Sequence, residues 1–322
     1  MAVAVARTHP WLDFAARRLT RFVVSMIIVV TASFAMVHAL PGDPVRSALG
    51  LQASPAVVNA TREQLGLNDP LWQQYVDYLG HLIHFDLGTS LDTQTPVRDV
   101  MAQLVPATVR LGVVSFVVCV LVAIPIGMLV GIRTRDGRGR RLHLGFGGTT
   151  GLALSIPDYL LAVALVFVFS VSLQALPVAG MAGPASYVLP VIALVAGPIA
   201  YLSRIVRAET QRVLREEYMM TARAKRLPPR LLYLRHALPN VLTPTLTVSG
   251  MILASLLAGT VLVETVFAWP GIGAELVHSV LVKDFPVVQA VALFFGAGVL
   301  LINLVVDIAI AVVDPRSTIR ES

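Results

Sequence analysis

Three carboxylates and one polar island are the parts of this chain that could do chemistry. Asp158 follows Pro157 inside a long apolar run, and Asp307 lies near the end of the last apolar run. A charge in the bilayer core costs about 2.5–3.5 kcal/mol on insertion scales, so such groups face protein, water or a partner charge. Asp307 is expected to pair with an arginine near the same membrane face. Asp158 has two open readings: it caps the helix restarting after Pro157, or it faces a hydrated pathway, since broken helices are tolerated where they line a cavity. Glu264, where the fifth apolar run meets the following polar block, is the second candidate pathway carboxylate.

Other chemistries find no support in the residues. A P-loop needs Gly-x-x-x-x-Gly-Lys-Ser/Thr, and the only two lysines, Lys225 and Lys283, follow Ala224 and Val282. The seven histidines are scattered and the single Cys119 sits in an apolar run, so neither a metal-ligand cluster nor a disulfide can be read. No paired catalytic constellation is visible, so no catalytic residue and no metal ligand is assigned. The basic excess of +6 does not point to nucleic acid, because it is confined to particular loops.

The elements that must position these groups are membrane spans. Of 322 residues 56% are hydrophobic and 14% charged, against about 25% charged in soluble domains. Apolar runs of span length recur, which implies an all-α polytopic membrane protein with six transmembrane helices. The predicted spans cover 22–40, 107–132, 144–173, 188–206, 241–263 and 287–313. A basic leader, 1–21, precedes them. Since 22–40 exceeds a signal peptide's apolar core of about 7–15 residues, it reads as an uncleaved helix. The segment 41–106 is an external loop region with two predicted helices. The second of these carries Trp72, Tyr75 and Tyr78, aromatics suited to a membrane interface. The remaining connections are a loop at 133–143, an external turn at 174–187, the polar island at 207–240, an external loop at 264–286 and a tail at 314–322.

Charge sets the orientation. Four Lys or Arg lie in the leader, five in the 133–141 turn, nine between 204 and 235, and two in the tail, twenty of the 25 in all. Positive residues stay cytoplasmic, so both termini and the island are expected inside. The island runs from helix formers at 218–225 to Pro228 and Pro229, which stop that helix. A second piece, about 230–238, is expected to end at Pro239.

The wording of the island is specific. Thr221-Ala222-Arg223-Ala224-Lys225 followed by Leu238-Pro239-Asn240 resembles the EAA-type coupling loop of ABC importer permeases in the dipeptide/oligopeptide branch. Leu40-Pro-Gly-Asp-Pro44 and Asp86-Leu-Gly-Thr-Ser90 resemble the B-type permease of that family. Glu264-Thr-Val-Phe-Ala-Trp-Pro-Gly-Ile-Gly273 resembles its Glu-Thr-Val-Phe-x-Trp-Pro-Gly-x-Gly signature, and Asp314-Pro-Arg316 its ending. Arg226 and Phe85 stand where the family has glycine.

What the resemblance implies is a permease domain over about 90–305 that imports di- or oligopeptides across the bacterial cytoplasmic (inner) membrane. Nickel or another small solute is the alternative cargo, and a stand-alone proton-coupled transporter the alternative mechanism. The implied partners are a second permease subunit in a heterodimer, two cytoplasmic ATPase subunits, an external solute-binding protein and the lipid bilayer. ATP and magnesium would sit on the ATPases, with no cofactor bound by this chain. The coupling residues implied are Glu217, Tyr218, Thr221, Ala222, Ala224, Lys225, Arg226, Leu227, His236, Leu238 and Pro239. Ala222 and Ala224 are small, which would let the backbone of a partner approach closely.

Overall fold

Helices follow one another along the whole of a computed structural model that describes residues 10–39, 45–46, 54–64, 66–137 and 139–313. Helix α1 is Pro10–Ala39, α2 Pro55–Gln64, α3 Leu71–Ile83 and α4 Val97–Arg133. Helix α5 is Arg140–Ser155 and α6 Asp158–Leu165, prolonged by a wider π turn, Val166–Ser172. Helices α7 (Val188–Val213), α8 (Glu217–Ala224), α9 (Leu238–Val266), α10 (Ile272–Val282) and α11 (Phe285–Val313) complete the order.

Among the described residues, five segments are long and apolar enough to cross a membrane: Ala16–Met36, Val97–Arg133, Pro184–Val213, Leu231–Val266 and Phe285–Ala309. The expected third span is bent by 94° between α5 and α6, and a sixth crossing requires the two together. At about 1.5 Å per residue, sixteen residues of α5 fall short of a 30 Å hydrocarbon layer. The bend has a local cause. Pro157 forces the preceding Ile156 into extended backbone (φ −93°, ψ 117°) and breaks the helical ladder.

The second span starts ten residues before the expected residue 107, and a proline expected to end a helix does not. The second span begins at Val97 and runs through Pro106 and Pro125. Asp99 in its first turn complements the helix dipole, and Val97 and Met101 are buried against Ile272, Val287 and Val291. Neighbouring helices in a membrane re-satisfy the groups that an interior proline frees. Pro239 likewise fails to end the helical piece before it. A π turn, Leu231–Ala237, leads into α9 with Pro239 in its first turn, where a missing N–H costs little.

The centre of the bundle is the pair α4 and α7. A Cβ added at Gly127 would lie 2.6 Å from Ser203 O, and one at Gly131 2.8 Å from Thr210 Cβ. Glycine is what allows these backbones to approach. Leu111, Cys119, Leu194, Leu202, Ile252 and Leu256 fill the core shared with α9. Helix α1 packs on α11, where Arg18 meets Asp307 at 2.6 Å; the acid does have an arginine partner. The turn after α4 is also tied to the bundle. Thr134 Oγ1 accepts from Arg207 Nε (3.2 Å) and Gln211 Nε2 (3.0 Å), which ties the turn to α7.

Candidate functional site

An eight-residue helix is too short to hold itself in water, so α8 depends on what its inner face touches. Met219 is fully buried and Ala222 is 6% exposed, and both join the core formed by α4, α7 and α9 with Leu214, Leu232 and Ala237. Arg223 Nη2 donates to the carbonyl of Leu214 at 2.8 Å, fastening α8 to the turn that leaves α7. The outer face carries Glu217, Tyr218, Met220, Thr221, Ala224 and Lys225, all exposed. Beside it lies a shallow cleft lined by Ala208, Gln211, Arg212, Arg215, Glu216 and Glu217. Partial burial, with Glu216 nearby, pushes the Tyr218 hydroxyl above its ordinary value and keeps it a neutral donor.

This corrects one expectation. Ala222 turns inward against the chain's own core, so it is not a surface for a partner's backbone; Ala224 is exposed. Leu227, His236 and Leu238 are half-buried and Pro239 is exposed. The two adjacent methionines divide: Met219 is core and Met220, 54% exposed, stands on the outer face.

Arg226 closes the helix. Its φ is +52°, the left-handed conformation glycine usually supplies. Its N–H donates to Arg223 O (2.8 Å) and that of Leu227 reaches Ala222 O (3.4 Å), the two bonds of a Schellman cap. Phe85 also has a positive φ, +55°. At both positions the backbone keeps a left-handed turn with a larger residue in it.

The outer end of α9 is built differently. Helix α9 extends past residue 263, so Glu264 lies inside it, 0% exposed. Its carboxylate accepts from the N–H groups of Gly273 (2.7 Å) and Ala274 (3.2 Å), the first turn of α10, where the helix dipole favours an anion. Gly271 and Gly273 leave room for that carboxylate and for the Cα of Val261, 2.6 Å from where a Cβ on Gly273 would stand. Trp269, 1% exposed, donates Nε1–H to Ala107 O at 3.2 Å, and Ile272 N–H donates to Thr108 Oγ1 at 3.0 Å. The Glu-to-Gly signature is therefore a clamp joining α9, α10 and α4, and the Glu264 carboxylate faces no open path here. Asp284, 2% exposed, makes a second fastening that the sequence did not reveal: it accepts from Ser90 Oγ, Leu91 N and Asp92 N.

Asp158 is placed differently. It is the first residue of α6, with Pro157 in the cap position and no side-chain capping bond. It is half-buried, and its oxygens lie 3.8 and 4.0 Å from where Cβ atoms on Gly197 of α7 and Gly259 of α9 would be. The structure thus separates the two candidate carboxylates: Glu264 is enclosed, and Asp158 lies against glycine-lined faces of two helices at the bend.

Comparison with known proteins matches residues 123–319 to the family described as binding-protein-dependent transport system inner membrane component, and residues 11–112 to that family's N-terminal membrane component. A glutathione transport system permease protein of Pectobacterium atrosepticum is 38% identical over 305 residues, 94% of this chain and 98% of that protein. The Escherichia coli K12 protein of the same description is 36% identical over the same shares. Among solved structures, an inward-facing MetNI methionine ABC transporter aligns with a TM-score of 0.57 at 19% identity, covering 67% of this chain and 96% of that one, a likeness of fold.

Proposed function

The chain belongs to the binding-protein-dependent inner membrane component family, the permeases of ABC importers, and from that premise we propose that it imports small peptides. It is a membrane subunit of such an importer, and subunits of this kind work with ATPases and a binding protein. Relatives described as glutathione permeases support a short peptide as cargo over nickel. A second permease completes a heterodimeric pathway, ATP and magnesium are held by the ATPases, and both termini with α8 face the cytoplasm, in keeping with the basic residues.

One observation carries the coupling assignment: α8 shares a core with α7 and α9 on one side and leaves Glu217, Tyr218, Met220, Thr221, Ala224 and Lys225 free on the other. A displacement applied by an ATPase to that outer face passes through Met219, Ala222 and the Arg223–Leu214 bond into α7 and α9. Arg226 and Leu227 fix where the helix stops, and His236, Leu238 and Pro239 carry the chain into α9. Asp158, between α6, α7 and α9, contributes a carboxylate to the path for the cationic end of a peptide.

The test is Met220→Glu. It changes the outer face without entering the core, so the chain inserts normally while transport and co-purification of the ATPases are lost. Full transport with a full ATPase complement would overturn the assignment. For Asp158, Asp158→Asn lowers uptake of cationic peptides relative to anionic ones. Unchanged preference across cationic, neutral and anionic peptides removes it from the path.

A further inference from the structure

Helix α3 has three faces, and the protein accounts for two of them. Gln74, Tyr75 and Tyr78 turn toward the bundle. Gln74 Oε1 lies 3.1 Å from His38 Nε2, the Tyr75 hydroxyl 2.8 Å from Thr31 Oγ1, and the Tyr75 and Tyr78 rings 5.2 and 5.7 Å from Phe34. Gln73, Asp77 and His81 form a polar face. The third face carries Trp72, Val76, Leu79 and Ile83, whose spacing of four, three and four residues places them on one line along the helix. Trp72 is 69% exposed and Ile83 75%, with Val76 also exposed and Leu79 half-exposed. Scattered apolar residues on a surface need no explanation, but a continuous stripe does.

Its depth says what covers it. The contacts of α3 on α1 fall between Thr31 and His38, seven residues or about 10 Å of helical rise. The membrane-length apolar segment of α1 ends at Met36. Helix α3 therefore lies where α1 leaves the hydrocarbon layer, next to a helix whose own Val24, Ile27 and Ile28 are exposed and apolar. The aromatics expected at the interface divide: Tyr75 and Tyr78 are used in packing, and Trp72 alone joins the outward stripe.

We propose that α3 is an in-plane anchor in the bilayer interface at the C-terminal end of α1, with Trp72, Val76, Leu79 and Ile83 seated at the headgroup–acyl boundary. Amphipathic helices bind there by burying one apolar face while the opposite face stays in water, and tryptophan favours that depth. The anchor holds the end of α1 through Phe34, Thr31 and His38. It needs neither cargo nor ATPase, so it stands or falls separately from the function proposed above.

The test uses the assembled transporter in nanodiscs of phosphatidylcholine and phosphatidylglycerol, with a spin label at single cysteines on a Cys119→Ala background. Labels at 76 and 83 should collide preferentially with oxygen, and labels at 73 and 77 with a water-soluble nickel chelate. The proposal is overturned if 76 and 83 are as open to the chelate as 77. It is equally overturned if they are shielded from both reagents, which would mean that protein covers the stripe. A second measurement keeps the native helix: lipids brominated near the headgroup should quench wild-type fluorescence more than that of Trp72→Phe. Equal quenching would place Trp72 outside the bilayer.

Discussion

Helix α9 has a short helix at each end, and the two are held by opposite means. At one end α8 is fastened by apolar side chains, Met219 and Ala222, and by one arginine–carbonyl bond, while its other face is left polar and open. At the other end α10 is fastened by a fully buried carboxylate, Glu264, and a buried tryptophan, and little of the joint is left to solvent. Apolar packing is nearly non-directional, so it secures α8 without using the groups on its outer surface. The buried carboxylate instead fixes geometry, because its Oε2 must meet two particular N–H groups, those of Gly273 and Ala274. One joint is suited to receive a partner, and the other to stay closed.

The largest effect expected from breaking this contrast is at Ala222. Ala222→Glu puts a charge into the core under α8, and a buried unpaired ion costs several kcal/mol even after relaxation. The variant should fail to accumulate as folded protein, unlike Met220→Glu two residues away. Fluorescence size-exclusion of the two detergent extracts checks this, and equal monodisperse yields would show that α8 does not depend on its inner face.

Next comes Glu264→Ala, which strands the N–H groups of Gly273 and Ala274 at about 1–3 kcal/mol each. The melting temperature of the purified complex should fall clearly, and Glu264→Gln, which keeps an acceptor oxygen, should fall less. If the alanine variant melts with wild type, the outer joint is not a clamp.

The smallest effect is a gain. A non-glycine residue in the left-handed region costs about 1–2 kcal/mol, whereas glycine's greater freedom in the unfolded chain costs about 0.5–1 kcal/mol. Arg226→Gly should therefore stabilise the protein by about 1 kcal/mol or less, visible as a slightly higher melting temperature with transport retained. A lower melting temperature would mean that the Arg226 side chain contributes more than its backbone strain removes.

The spans were legible because their signal is compositional. Apolar runs long enough to cross a bilayer need no tertiary information to be found, and the charge asymmetry between loops is likewise carried by residue type alone. The helix boundaries were less legible where prolines stood. Pro157 bends the chain by 94°, yet Pro106, Pro125 and Pro239 all lie within helices. The residue is the same in each case. What differs is position: Pro239 stands in the first turn of α9, where no intrahelical N–H is needed, and interior prolines are tolerated in membrane helices whose neighbours can re-satisfy the freed groups.

Residue types and their order determined that this chain is a helical membrane protein, that Lys225 and Lys283 belong to no P-loop, and that the island at 207–240 and the signature at 264–273 are its distinctive stretches. Only the tertiary structure decided which way each side chain in those stretches points. Ala222 and Ala224 are one residue type two positions apart, and a helix turns about 200° between them, so one is core and the other surface. Glu264 stands at the edge of an apolar run and Asp158 within one, and by residue type the two acids are alike. One meets the N-terminus of α10 and is enclosed, while the other meets glycines on two helices and stays partly open. A carboxylate's role depends on the dipoles and space around it, and those come from residues far away in sequence.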